Sequence, residues 1–218
     1  VSIAGYTPLY YYLLAGAEAL LGTGLGFLPG RLVSLVATLA SMAMIWRLAQ
    51  RRTGDWRAGA FGALLFLALG TPSHPSSPWP GLQKEAMLSV ALGLGAFVAV
   101  DGTGTGWRRV LLAAVVASLA ILTKQTMAVA AFATGAYLWR GSSRQSVAYF
   151  GLVAGMAGGV SLAFEVFGGN FIAGTIGSTV NPFRLEVLVV YTLVIMVLLG
   201  GMGLASAVHL LERARRHR

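Results

Sequence analysis

The chain has no cysteine in 218 residues. That excludes disulfide staples and thiolate metal sites, and it leaves no redox compartment to be read. Histidine is scarce: His74, His209 and His217 lie far apart and form no ligand motif. Charge is scarce too, at 11% of residues, where a soluble domain carries about 25%. Lysine occurs only at Lys84 and Lys124, and acids number seven. No charged segment followed by a cleavable apolar one opens the chain. It begins with Val1 rather than Met and reads as a fragment with sequence missing upstream.

What is abundant is apolar: hydrophobic residues make up 56% of the chain and the mean hydropathy is +0.75. The cations are ordered against these apolar runs. Arg47, Arg51, Arg52 and Arg57 flank one gap, Arg108 and Arg109 the next but one, Arg140 and Arg144 follow at the same alternation, and Arg213, Arg215, Arg216 and Arg218 close the chain. The intervening gaps hold only Arg31, Lys84, Lys124 and Arg184. Cytoplasmic loops of polytopic membrane proteins carry such an excess. A pI near 10.7 in a soluble chain would suggest nucleic acid. Here the arginines sit at helix ends with no basic face and no interleaved aromatics, so no nucleic-acid partner is expected. Anionic headgroups account for the charge.

The fold class expected is all-α and integral to the membrane: about seven transmembrane helices plus an outer-face juxtamembrane helix, forming one domain over 1–218. Residues 1–30 are the outer-face segment, 31–211 the helices and 212–218 a basic cytoplasmic tail. Pro8 suits a first helical turn, and the predicted juxtamembrane helix runs from there to about Leu21. Spans follow over 32–48, over 56–70 with Asp55 as its cap, and over 82–100. Between the last two, the loop 71–81 contains four prolines and cannot be helical throughout. The stretch 110–139 admits one long helix or two short ones. Two, with a hairpin at 123–126, place Arg108 and Arg140 on the same side, as the charge rule asks. Spans over 145–167 and 185–211 complete the count, joined by an outer loop. Several spans are short against the roughly 20 residues a bilayer needs. Gly151, Gly155 and Gly159 recur every fourth residue and predict a smooth helix-packing face.

On this topology Glu18, Glu85, Glu165 and Glu186 stand at the outer face, and Asp55, Asp101 and Glu212 inside. Lys84 and Glu85 form the densest outer pair, beside the Pro-rich loop. Lys124, in ILTKQT, sits where a helix end meets a tight turn with Gln125 beside it. An ammonium there suits a phosphate, as does the guanidinium of Arg31 or Arg184. Each is also the kind of residue that merely snorkels to headgroups. His74, in the Pro-rich loop, is a candidate for sugar binding or proton transfer. Tyr6 and Tyr10 belong to an interfacial tyrosine cluster.

These residues carry a resemblance. YTPLYYYL (6–13), GRLVSLVATLA (30–40), ILTKQT (121–126) and GGNF followed by NPF (181–183), in that order, resemble the glycosyltransferase C superfamily. The likeness is to its bacterial dolichyl-phosphate-mannose-protein mannosyltransferase-like and aminoarabinose-transferase-like members. It implies an enzyme of the bacterial inner membrane, C-terminus cytoplasmic, that transfers a sugar from a polyprenyl-phosphate carrier to a cell-envelope acceptor on the outer face. The implied partners are membrane lipids, the lipid-linked donor and a glycan, lipid or protein acceptor. Lys84, Lys124 and Arg31 would surround the lipid phosphate, with Tyr6, Tyr10, His74 and Gln125 in the sugar and acceptor region. The superfamily's general base is an acid in an outer loop that would lie upstream of Val1, so Glu85 is the candidate within the chain. The superfamily admits a divalent metal, for which the outer acids form no ligand cluster, and no metal residue is assigned. Short, Gly-interrupted spans also suit a transporter or lipid flippase, but there is no internal repeat and charge is scarce at span centres. An inactive membrane scaffold is the third reading.

Overall fold

A computed structural model describes residues 9–21, 28–70, 85–102 and 105–168, which belong to one compact unit. The Pro-rich loop, the segment after Gly168 with its span and tail, and the residues Tyr6, His74 and Lys84 lie outside them. The described residues form seven α-helices and no strand: α1 Leu9–Leu21, α2 Leu28–Thr53, α3 Trp56–Gly70, α4 Glu85–Val100, α5 Trp107–Thr123, α6 Ala128–Gly141 and α7 Ser143–Gly168.

Local chemistry sets the boundaries. Helix α2 overruns its expected span at both ends. Pro29 pre-sets its first turn, and Arg51 and Arg52 complement the negative end of its dipole. Gly54 then stops it at φ +74, with its N–H donating to the Gln50 carbonyl at 2.8 Å, a left-handed cap that glycine adopts without strain. One residue on, Asp55 caps α3: the Arg57 N–H donates to Asp55 Oδ1 at 2.8 Å. The stretch 110–139 is two helices, as the charge rule required. Helix α5 stops at Lys124, whose backbone is extended (φ −156, ψ 119), and a single 3₁₀ turn Gln125–Met127 leads into α6.

Consecutive helices from α2 onward run antiparallel. Gly59 of α3 packs on Trp46 of α2, Gly95 of α4 faces Val116 of α5, and Gly93 of α4 faces Ala130 of α6. Gln145 Nε2 at the start of α7 donates to the Thr105 carbonyl at 2.6 Å, and Ser146 Oγ to the Gly135 carbonyl at 2.8 Å. Eight of the ten described cations therefore gather at one end: Arg47, Arg51, Arg52, Arg57, Arg108, Arg109, Arg140 and Arg144. Arg31 and Lys124 are at the other, where α1 lies.

The interior is small and the exterior large. Ala96, Ala113, Ala114, Ala117 and Ala131 are 4% exposed or less and build the core with Val100, Val110, Leu138 and Tyr149. Ser34, Ser41, Ser89, Thr123, Thr134 and Ser146 are fully buried beside them. Thr38, Ser41, Ser118, Thr123 and Thr134 satisfy their hydroxyls by donating to the carbonyl four residues back, at 2.8 to 2.9 Å. By contrast, Val36, Phe61, Leu64, Val129 and Phe132 are more than 60% exposed. A soluble protein places such residues inside. Helices packed through small residues with large apolar ones outward suit a lipid solvent.

Among the described residues, two helices are long and apolar enough to cross a membrane, α2 over 26 residues and α7 over 25 (Ser143–Phe167). Only 22% and 17% of their apolar windows are buried, so neither resembles the enclosed core helix of a soluble domain. The glycine face of α7 meets none of the other described helices. A methyl added at Gly151, Gly155 or Gly159 meets no described atom within 4 Å. Helix α7 packs instead through Ser146, Tyr149, Val153 and Ala157, on its other side. Period four in sequence marks a face but does not name its neighbour. The glycines at which described helices approach most closely, where an added methyl would come within 3.0 Å of a neighbour, are Gly59, Gly93 and Gly135.

Candidate functional site

At the end of the bundle away from the arginines, α1 lies across α2. Its anchor is Tyr10, 6% exposed, whose hydroxyl comes within 3.3 Å of where a Cβ on Gly30 would sit. Glycine at position 30 is what lets the ring seat there. With Tyr10 buried, its neighbour Tyr12 faces the other way, 62% exposed, its ring 6.2 Å from that of Phe164 near the end of α7.

Helices α1, α2 and α4 enclose a groove of about 680 Å³, lined by Tyr12, Leu13 and Gly16 of α1, Pro29, Leu32 and Val33 of α2, and Leu88 and Ala91 of α4, among others. The lining is apolar but for the Tyr12 hydroxyl. Arg31, exposed, stands between lining residues Pro29 and Leu32 at the groove's end. The α5–α6 turn with Lys124 and Gln125, both half-buried, is at the same end, and α1 touches α5 there. Glu85 opens α4. Glu18, exposed on α1, and Glu165, in the last turn of α7, are the other carboxylates of this end among the described residues. Of the residues singled out in sequence, the fold thus brings Tyr10, Arg31, Glu85, Lys124 and Gln125 to one end. Tyr12 was not singled out, yet it lines the groove where Tyr10 does not. An interfacial tyrosine cluster gives no signal for which ring faces inward until helix phase is known.

No group of three His, Asp or Glu side chains converges among the described residues. These residues therefore offer a divalent metal no protein cage.

The opposite end holds a second polar constellation that sequence reasoning missed. Asp101, just beyond α4, has its side chain only 6% exposed and pairs with Arg52, with Arg51 at 3.8 Å. Tyr137 of α6 donates to Asp101 Oδ1 at 3.3 Å and accepts from Arg52 at 3.2 Å, with the guanidinium 5.7 Å from its ring centre. Arg52 and Asp101 are 49 residues apart and Asp101 and Tyr137 are 36 apart. The only hint in the sequence is a lone acid placed in an arginine-rich gap.

Among the described residues, an all-helical bundle with an Ala/Ser interior, a large apolar exterior and an apolar groove defines a membrane-associated class of protein. Within it, the chain belongs to the dolichyl-phosphate-mannose-protein mannosyltransferase family, whose family model matches residues 6–164. The match runs from just before α1 almost to the end of α7; it bears out the family resemblance and covers the first three of the four segments, the GGNF and NPF segment lying beyond it. The family makes this a membrane glycosyltransferase in general class. No curated protein and no solved structure matches the chain.

Proposed function

We propose that the protein transfers a sugar from a polyprenyl-phosphate carrier to a cell-envelope acceptor at the outer face of a bacterial inner membrane, with the bundle crossing that membrane several times. The observation that carries this is the apolar groove of α1, α2 and α4, beside Arg31 and at the same end as Lys124. A polyprenyl phosphate is an apolar tail joined to an anion, and the groove and cations match the two parts. The reaction breaks the bond between the sugar and the carrier phosphate, so negative charge grows on the departing phosphate. The acceptor oxygen takes the place of the phosphate on the sugar's anomeric carbon, and a fixed cation stabilises the second charge building on the departing phosphate more than it stabilises the singly charged diester of the ground state. A carboxylate takes the proton of the acceptor hydroxyl, and Glu85 at the head of α4 is this chain's candidate. Low dielectric beside the groove strengthens both effects. Tyr6, Tyr10, His74, Lys84 and Gln125 are assigned to the surroundings of phosphate, sugar and acceptor. The arginine-rich end, with its eight described cations, then faces the cytoplasm.

The test is donor turnover by membranes containing the full-length protein, supplied with a radiolabelled polyprenyl-phosphate sugar. Lys124→Ala is expected to lower turnover at least tenfold, with membrane insertion intact, because one charge-assisted contact to a developing anion is worth roughly 1.5–3 kcal/mol. Unchanged turnover would remove Lys124 from the site.

A further inference from the structure

We propose a second anion site, separate from the transferase groove, in the cavity at the arginine-rich end: a site for a phosphate group, held by Arg47 and Arg109 on a frame made by Arg52, Asp101 and Tyr137.

The cavity has a volume of about 800 Å³ and is formed where the end of α2, the α4–α5 connection and α6 meet. Its lining includes Arg47, Arg51, Arg52 and Arg109 and a single carboxylate, Asp101. Four guanidiniums against one carboxylate leave an excess of three positive charges around one space. Arg52 is already committed, since it is paired with Asp101 and braced by the hydroxyl and ring of Tyr137. Arg51 shares the same carboxylate at 3.8 Å. Arg47 and Arg109 have no carboxylate partner among the described residues. Arg109 reaches across Gly102, its terminal nitrogen 3.5 Å from where a Cβ on that residue would be. Gly102 has φ +150, a conformation open to glycine and strained for other residues. Arg109, near the start of α5, thus stands beside Gly102 in the cavity lining.

Like charges gathered this way repel one another, and an anion bound among them removes the repulsion. Guanidinium forks match the oxygens of a phosphate in pairs. Arg52, whose geometry is set in advance, gives up little freedom on binding. Apolar residues Val98, Ala99 and Leu112 complete the lining. A phosphate with an attached acyl body therefore fits as well as a free one. The two sources of this chemistry are an anionic phospholipid headgroup and soluble phosphate.

The experiment uses full-length protein in nanodiscs of neutral phosphatidylcholine. The thermal midpoint is followed on adding phosphatidylglycerol to the bilayer or inorganic phosphate to the buffer. The site pair Arg47→Gln with Arg109→Gln is compared with a control pair, Arg57→Gln with Arg108→Gln, exposed arginines of the same end that do not line the cavity. Wild type is expected to be stabilised by at least one of the probes. The site pair should raise the concentration needed for half-protection at least tenfold, and the control pair less than twofold. Protection by phosphatidylglycerol alone, or by both probes, assigns a lipid headgroup; protection by phosphate alone assigns a soluble anion. If neither probe protects wild type, or if both pairs weaken protection equally, the charge is diffuse and the site does not exist. Should the double variant not fold, single Arg109→Gln carries the same comparison against single Arg108→Gln. A transferase that fails its own turnover test leaves these outcomes unaffected.

Discussion

Gly135 is where the bundle tolerates least. A methyl at this position would run into the ring of Phe150 on α7. That ring cannot retreat freely, being packed at 5.5 Å from Phe132 and 5.6 Å from Tyr149. The Gly135 carbonyl also receives the Ser146 hydroxyl at 2.8 Å, which pins the two backbones together. Gly135→Ala is therefore expected to cost about 1–3 kcal/mol, the usual range for overpacking, and to lower the thermal midpoint of the purified protein. Gly151→Ala is the counterpart: its added methyl meets no described atom within 4 Å, so its effect should stay within about 0.5 kcal/mol. Equal midpoints for the two variants would mean that α6 and α7 do not meet at Gly135.

At the scale of elements, much of the fold was legible because punctuation is local. Asp55 and the Pro-rich loop bracket α3, and its bounds 56–70 came out as read. Thr123–Thr126 carries the break between α5 and α6, legible only because charge alternation ruled out one long helix. What sequence left unread depends on contacts between distant positions. The phase of α1 decides that Tyr10 is buried and Tyr12 exposed. The pairing of Arg52 with Asp101 exists only once α2 and α4 lie side by side. The glycine face of α7 has a visible period and an invisible neighbour. The break itself can be tested directly, helped by a chain without native thiols. Thr105→Cys with Gln145→Cys should be bridged within one molecule by a short bismaleimide, since Gln145 reaches the Thr105 carbonyl at 2.6 Å. Were 107–141 a single helix, its ends would stand about 50 Å apart at 1.5 Å per residue. Intact mass then would show two separate adducts instead of one bridge.

On the scale of the whole molecule, two segregations coincide without sharing a cause in sequence. The arginines collect at one end because each sits at a helix terminus and consecutive helices reverse direction. The apolar groove lies at the other end because α1 crosses α2 there, over Gly30. On the proposed function, a membrane gives that coincidence a meaning: cations would stay in the cytoplasm, and a lipid-linked donor would be met at the opposite face. The helices α3 to α6, of 14 to 17 residues, are short for a full bilayer core of about 30 Å. They can be accommodated between α2 and α7, both long enough to cross, or where the bilayer is locally thinned. Orientation is the claim on which the rest of the functional reading turns. Ser143→Cys, at the head of α7 among the arginines, and Ser77→Cys, in the Pro-rich loop, provide its test in intact cells. A membrane-impermeant maleimide should label Ser77→Cys in intact cells, and Ser143→Cys only after the membrane is opened. Labelling of both positions from outside would mean that the bundle does not separate its two ends across the membrane. The groove, Arg31 and Lys124 would then have no outer face to serve. Reversed labelling would keep the bundle across the membrane and turn its groove to the cytoplasm, where the carrier would have to be met instead.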